Sequence, residues 1–80
     1  MENLNKEIET LVVRWCERRD YVSLAHVLPA WIWNNGLTDG WENLMSALRH
    51  AYAMCTHLPP DERDTLKKSY VAIDVALRNR

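Results

Sequence analysis

"TDGWENLMSALRHAYAMC", residues 38–55, is the stretch whose periodicity sets the fold. Trp41, Leu44, Met45, Leu48, Tyr52 and Cys55 return every three or four positions, and Asn43, Ser46, Arg49 and His50 fall mostly between them. Side chains three and four apart share one face of an α-helix. The segment is therefore an amphipathic helix with one apolar stripe. A strand would need alternation at period two, and no such pattern persists here or elsewhere in the chain. Thr38 or Asp39 is the expected cap, and Asp39 with Glu42 has capping-box spacing.

On the C-terminal side, Pro59-Pro60 ends this helix and starts another. Asp61, Glu62 and Asp64 suit the positive end of that last helix, and Arg78 and Arg80 suit its negative end. Leu66, Tyr70, Ile73 and Leu77 form its stripe. On the N-terminal side, Leu4, Ile8, Leu11, Val12 and Trp15 predict a first helix over roughly residues 3–19. Asp20 is a good N-cap for a second. Leu24, Val27, Leu28 and Trp31 continue a helical stripe through "PAWIWNNG", residues 29–36. Pro29 removes a hydrogen bond and crowds the preceding turn, so this helix is expected to kink there or to end near Val27 and restart. Asn35-Gly36 is the expected stop.

The expectation is an all-α chain: one compact four-helix bundle-like domain over residues 1–80, with a Pro-kinked second helix and mostly antiparallel neighbours joined by short connections. A length of 80 residues leaves no room for a second domain. Small domains bury a lower fraction of their surface, which makes association a common source of extra stability. Two helices share the loosely similar segments "SLAHVL" and "NLMSAL", but two faces of one core do so by default. Only generic helical periodicity is legible, with no motif of a tetratricopeptide, helix–turn–helix or secretion-chaperone kind.

Charge is unevenly placed. Residues 21–60 carry it only at Asp39, Glu42 and Arg49, whereas both ends are densely charged. The net charge of -1 gives no general attraction to nucleic acid or anionic lipid. The N-terminus has acidic residues and no continuous apolar core, so it does not read as a signal peptide. The charge-free run 21–38 contains Ser23, His26, Pro29, Asn34, Asn35 and Gly36, which argues against a membrane span. Cys16 and Cys55 are too few for a secreted disulfide scaffold, and a reducing cytoplasm is the expected compartment.

No chemistry-bearing constellation emerges. Cys55 and His57 diverge on a helix. His50 and His57 share a face but lie two turns, roughly 10 Å, apart, too far for one ion. With Gly36 and Gly40 the only glycines, no phosphate-cradling loop forms. No catalytic, cofactor-binding or metal-ligating residues are assigned, no cofactor is expected, and the chain is read as non-enzymatic.

What remains is the outer side of the second helix. Val22, Ser23, His26, Ala30 and Trp33 lie opposite its core stripe, and the side is neutral and capped by a large ring. Trp31 and Trp33 sit about 200° apart on an unbroken helix and cannot both face one core. Val22, His26, Ala30 and Trp33 are therefore the candidate partner-binding residues. The competing reading is that Pro29 rotates Trp33 back into the core. The functional expectation is a small helical protein–protein interaction module: an adaptor, inhibitor or regulator of a larger protein that also pairs with itself. The alternative is a DNA-binding transcriptional regulator with residues 38–55 as the reading helix. Its exposed side offers Glu42, Asn43, Ser46, Arg49 and His50 with Asp39 at the entry, acidic where base contacts are expected. Arg14, Arg18 and Arg19, and Lys67, Lys68, Arg78 and Arg80, are each interleaved with acids, which reads as mixed solvated faces.

Overall fold

A computed structural model describes residues 2–34 and 38–79. It contains four helices: α1 (Glu2–Arg18), α2 (Tyr21–Ile32), α3 (Thr38–Met54) and α4 (Pro60–Arg78). Among the described residues there is no strand. Each helix packs on its neighbour in chain order, and α4 closes against α1. Side-chain pairings set the directions. Asp20 meets His57 at one end of the α2/α3 pair, and His26 meets His50 further along. Tyr52 packs edge-on against Tyr70, so α4 returns along α3. Arg14 and Arg18 near the end of α1 reach Asp61 and Glu62 at the start of α4. Neighbouring helices are thus antiparallel, in a bundle of 36 × 22 × 21 Å.

The core holds the expected stripes. Leu4, Ile8, Leu11, Val12 and Trp15 from α1 are buried against Leu24 and Val27 of α2, Leu44, Leu48 and Ala51 of α3, and Leu66 and Ile73 of α4. Cys55 is fully buried as a small apolar filler, while Cys16 is exposed, and both are free thiols. No helix is long and apolar enough to cross a membrane among the described residues.

The connections explain the close packing. α1 stops without a glycine. Arg19 adopts φ 59°, its N–H donates to Cys16 O (3.2 Å), and Asp20 N–H donates to Trp15 O (2.8 Å). This pair of bonds is the Schellman closure, which normally places glycine at the left-handed position because a Cβ is strained there. Asp20 then caps α2, accepting from Ser23 N–H at 3.2 Å. α2 runs unbroken through Pro29, so the break-and-restart alternative does not hold. The Asn35-Gly36 stop lies outside the described residues. At the other end, Arg63 of α4 donates to Tyr52 O (3.0 Å) and Cys55 O (3.2 Å), closing off the last carbonyls of α3. Its guanidinium also sits 4.4 Å from the Tyr52 ring centroid. Pro60 opens α4 in its first turn, where a missing N–H costs nothing.

Candidate functional site

Two places concentrate side chains beyond ordinary core packing. The first is a polar clasp where the α1–α2 turn, the α3–α4 connection and the first turn of α4 meet. The Trp15 indole N–H donates to Glu62 Oε1 at 2.9 Å. Arg18 grips the same carboxylate with both guanidinium arms, Nη1 to Oε2 at 2.6 Å and Nη2 to Oε1 at 2.8 Å. Arg18 also lies 3.6 Å from Asp20 Oδ2, which accepts from the Ser23 hydroxyl at 2.9 Å and lies 2.9 Å from His57 Nε2. Glu62 is only 3% exposed. Its bonds with Arg18 hold its carboxyl below the ordinary range against the opposing effect of burial, and the Trp15 N–H adds to them. Hydrogen bonding to Glu62 correspondingly raises Arg18 above its ordinary value. Burial pushes Asp20 up, but hydrogen bonds from His57 and from the Ser23 N–H and hydroxyl outweigh it, leaving Asp20 lowered.

Ser23, His57 and Asp20 are the residue types of a hydrolytic triad, but the arrangement is different. The same ring nitrogen, His57 Nε2, lies 3.4 Å from Ser23 Oγ and 2.9 Å from Asp20 Oδ2. A nucleophile–base relay uses opposite ring nitrogens for the two partners. Ser23 is also fully buried, and its hydroxyl donates a hydrogen bond to Asp20. The cluster works as a brace, tying the α1–α2 turn to the α3–α4 connection and to the first turn of α4. Among the described residues no group of three or more His, Cys, Asp or Glu side chains is placed to hold a metal ion.

The second place is the outer face of α2 with the adjoining face of α3. Trp33 caps the C-terminus of α2 and is 81% exposed; Val22, at the other end of the helix, is 60% exposed. His26 and Ala30 between them are half-buried at the α2/α3 seam. Ser23, expected on this side, is instead turned inward to Asp20. Trp31 is half-buried against the core. It lies in the last turn of α2. Tyr21 and Ile32 add to the exposed apolar surface of α2, and Met54 adds to it from the end of α3. No charged residue lies within α2.

α3 supplies the rest of this face. The His26 and His50 rings stack with centroids 5.2 Å apart and planes 26° apart. On one side of the pair, Pro29, Ala30, Trp33, Gly40 and Asn43 line a recess of about 290 Å³. On the other, Ser46, Arg49, His50, Ala53 and Met54 line one of about 260 Å³. Sequence reasoning missed these α3 contributors. The signal that would have found them is the register: once Asp20 pairs with His57, antiparallel counting brings His26 beside His50 and Trp33 beside Asn43.

The molecule thus defines its class as a small all-α four-helix domain with a braced end and an uncharged, incompletely covered helix face. No family model matches the chain, and no curated protein and no solved structure matches it.

Proposed function

We propose that this domain is a non-enzymatic protein-binding module of the cytoplasm, an adaptor or regulator that engages a larger protein through the outer face of α2. The observation that carries the reading is Trp33. A nearly free indole at the end of an uncharged helix, with Val22, Tyr21 and Ile32 exposed on the same element, is costly to leave in water. Tryptophan is among the commonest energetic anchors of protein interfaces. His26 and Ala30, half-buried between Val22 and Trp33, give that face its floor.

The DNA-reading alternative lacks comparable support. The start of α3 carries Asp39 and Glu42, where a reading helix would meet base edges. Arg49, the one cation in α3, lies over the Tyr70 ring at 5.5 Å from its centroid.

The test is affinity capture with the wild type, Trp33→Ala, Val22→Asp and, as an off-face control, Lys67→Ala. A partner retained by the wild type and the control but lost by both α2 variants is the expected result. Equal retention by all four forms would refute the α2 face as the binding surface.

A further inference from the structure

The fold brings together two imidazoles from different helices. His26 of α2 and His50 of α3 meet across the helix seam, with ring centroids 5.2 Å apart and planes 26° apart. His26 is half-buried and His50 is exposed, so solvent reaches the pair. Among the described residues neither ring makes a hydrogen bond or an ion pair, whereas His57, the third histidine, is held by Asp20. No two histidines stand at ligand spacing along one helix. Only the antiparallel register of α2 and α3 supplies the pair.

We infer that His26 and His50 form a two-imidazole site for a divalent transition ion of the zinc class, clipping α2 to α3. The inference is independent of what the outer face of α2 binds. Spacing carries it. An imidazole nitrogen lies about 2.0–2.1 Å from zinc and about 1.1 Å from its own ring centre, so two imidazoles on one tetrahedral ion have centres about 5.2 Å apart. The His26 and His50 centres already stand at that separation. As stacked, the rings turn faces rather than nitrogens toward each other. Rotation about each Cβ–Cγ bond, a soft torsion, leaves the ring centre nearly in place and swings a nitrogen toward a shared ion. No helix has to move. The donors choose the ion. Two neutral ring nitrogens suit zinc, copper and nickel, whereas calcium and magnesium call for oxygen ligands. α2 carries no charge to repel a cation, and Arg49, next to His50, lies over the Tyr70 ring of α4. Water completes the coordination, since among the described residues no third His, Cys, Asp or Glu joins the pair.

Zinc sulfate titrated into the reduced full chain at about pH 7.5, where imidazole is neutral, tests this. Native mass spectrometry should show one ion per chain. The melting temperature should rise, because the ion binds the pair only in the folded state. His26→Gln and His50→Gln should each lose both the ion and the rise. Cys16→Ser, which removes the exposed thiol, should keep both, and magnesium should give neither. Histidine-ring NMR signals of the wild type supply a reading that needs no variant: those of His26 and His50 should shift with zinc while those of His57 stay. Zinc that fails to bind, that binds the two histidine variants as well as the wild type, that is lost with Cys16→Ser, or that shifts His57 instead overturns the inference.

Discussion

Trp15 and Trp33 are the same residue type placed at the ends of successive helices, with opposite outcomes. Trp15 is fully buried and its indole N–H is satisfied by Glu62, which is itself gripped by Arg18. Trp33 is exposed beside an open recess. The difference lies in what the rest of the chain brings to each ring. α1 is covered along its stripe by α2 and α4, and α4 delivers an acceptor to the one polar atom of the Trp15 ring. Among the described residues, Trp33 shares its recess with Pro29, Ala30, Gly40 and Asn43, none of which covers the ring. An indole is retained inside a small domain only when both its apolar area and its N–H are provided for. Where they are not, the ring becomes surface that another molecule can cover.

The largest expected effect follows from the buried ring. Trp15→Ala should cost on the order of 3–5 kcal/mol, from lost apolar burial and a cavity, and it also removes one of the hydrogen bonds to Glu62, which Arg18 still holds. Chemical denaturation checks it. A cost near 1 kcal/mol would show that the clasp tolerates loss of its central ring, and the contrast with Trp33 would weaken.

Next comes the carboxylate. Glu62→Gln keeps an acceptor for Trp15 but removes the charge paired with Arg18, and should cost about 1–3 kcal/mol. The Arg18 side chain is itself 42% exposed, and solvation of its freed charge keeps the loss below that of a fully buried pair. Glu62 and Asp20 both titrate below their ordinary range in the folded state. The unfolded chain therefore binds protons first. Their contribution is fully present above the unfolded carboxyl range, near pH 4–5, and is lost as pH falls toward the lower folded values. Thermal melts from about pH 6 to pH 2 should show falling stability for the wild type and a shallower fall for Glu62→Gln. Parallel curves would mean that Glu62 does not couple folding to protonation.

The Arg19 turn should give a smaller effect of opposite sign. Arg19→Gly relieves the Cβ at φ 59° and is expected to stabilise by up to about 1 kcal/mol. A destabilised variant would mean that glycine's freedom in the unfolded chain outweighs the relief. The smallest effect on folding belongs to Trp33→Ala, within about 0.5 kcal/mol as for other exposed sites. A cost of several kcal/mol would erase the contrast between the two tryptophans and place Trp33 in the core of the folded monomer.

Much of the architecture was legible in the residues themselves. The stripes Leu4–Trp15, Leu44–Cys55 and Leu66–Leu77 repeat at helical spacing, and spacing is a local property. Asp20 as a cap and Pro59-Pro60 as a junction were legible for the same reason, because each acts on backbone within one turn. The opposition of Trp31 and Trp33 followed from helix geometry, although the half-burial of Trp31 depended on tertiary packing.

The tertiary structure decided the rest. Glu62 reads in the sequence as one more acid at the start of a helix. It is an internal anchor only because α4 returns antiparallel to α1 and brings it within 2.9 Å of the Trp15 nitrogen, 47 positions away. Arg19 carries no mark of a left-handed residue, and its φ is imposed by the short turn that sets α2 against α1. Gly40, Asn43 and His50 join Ala30, Trp33 and His26 on one face because α3 runs back along α2. Periodicity settles which side of a helix is apolar, since that depends on neighbours in the chain. Which apolar sides find cover, and which acid finds an indole, depends on contacts between distant segments, and those exist only once the four helices have packed.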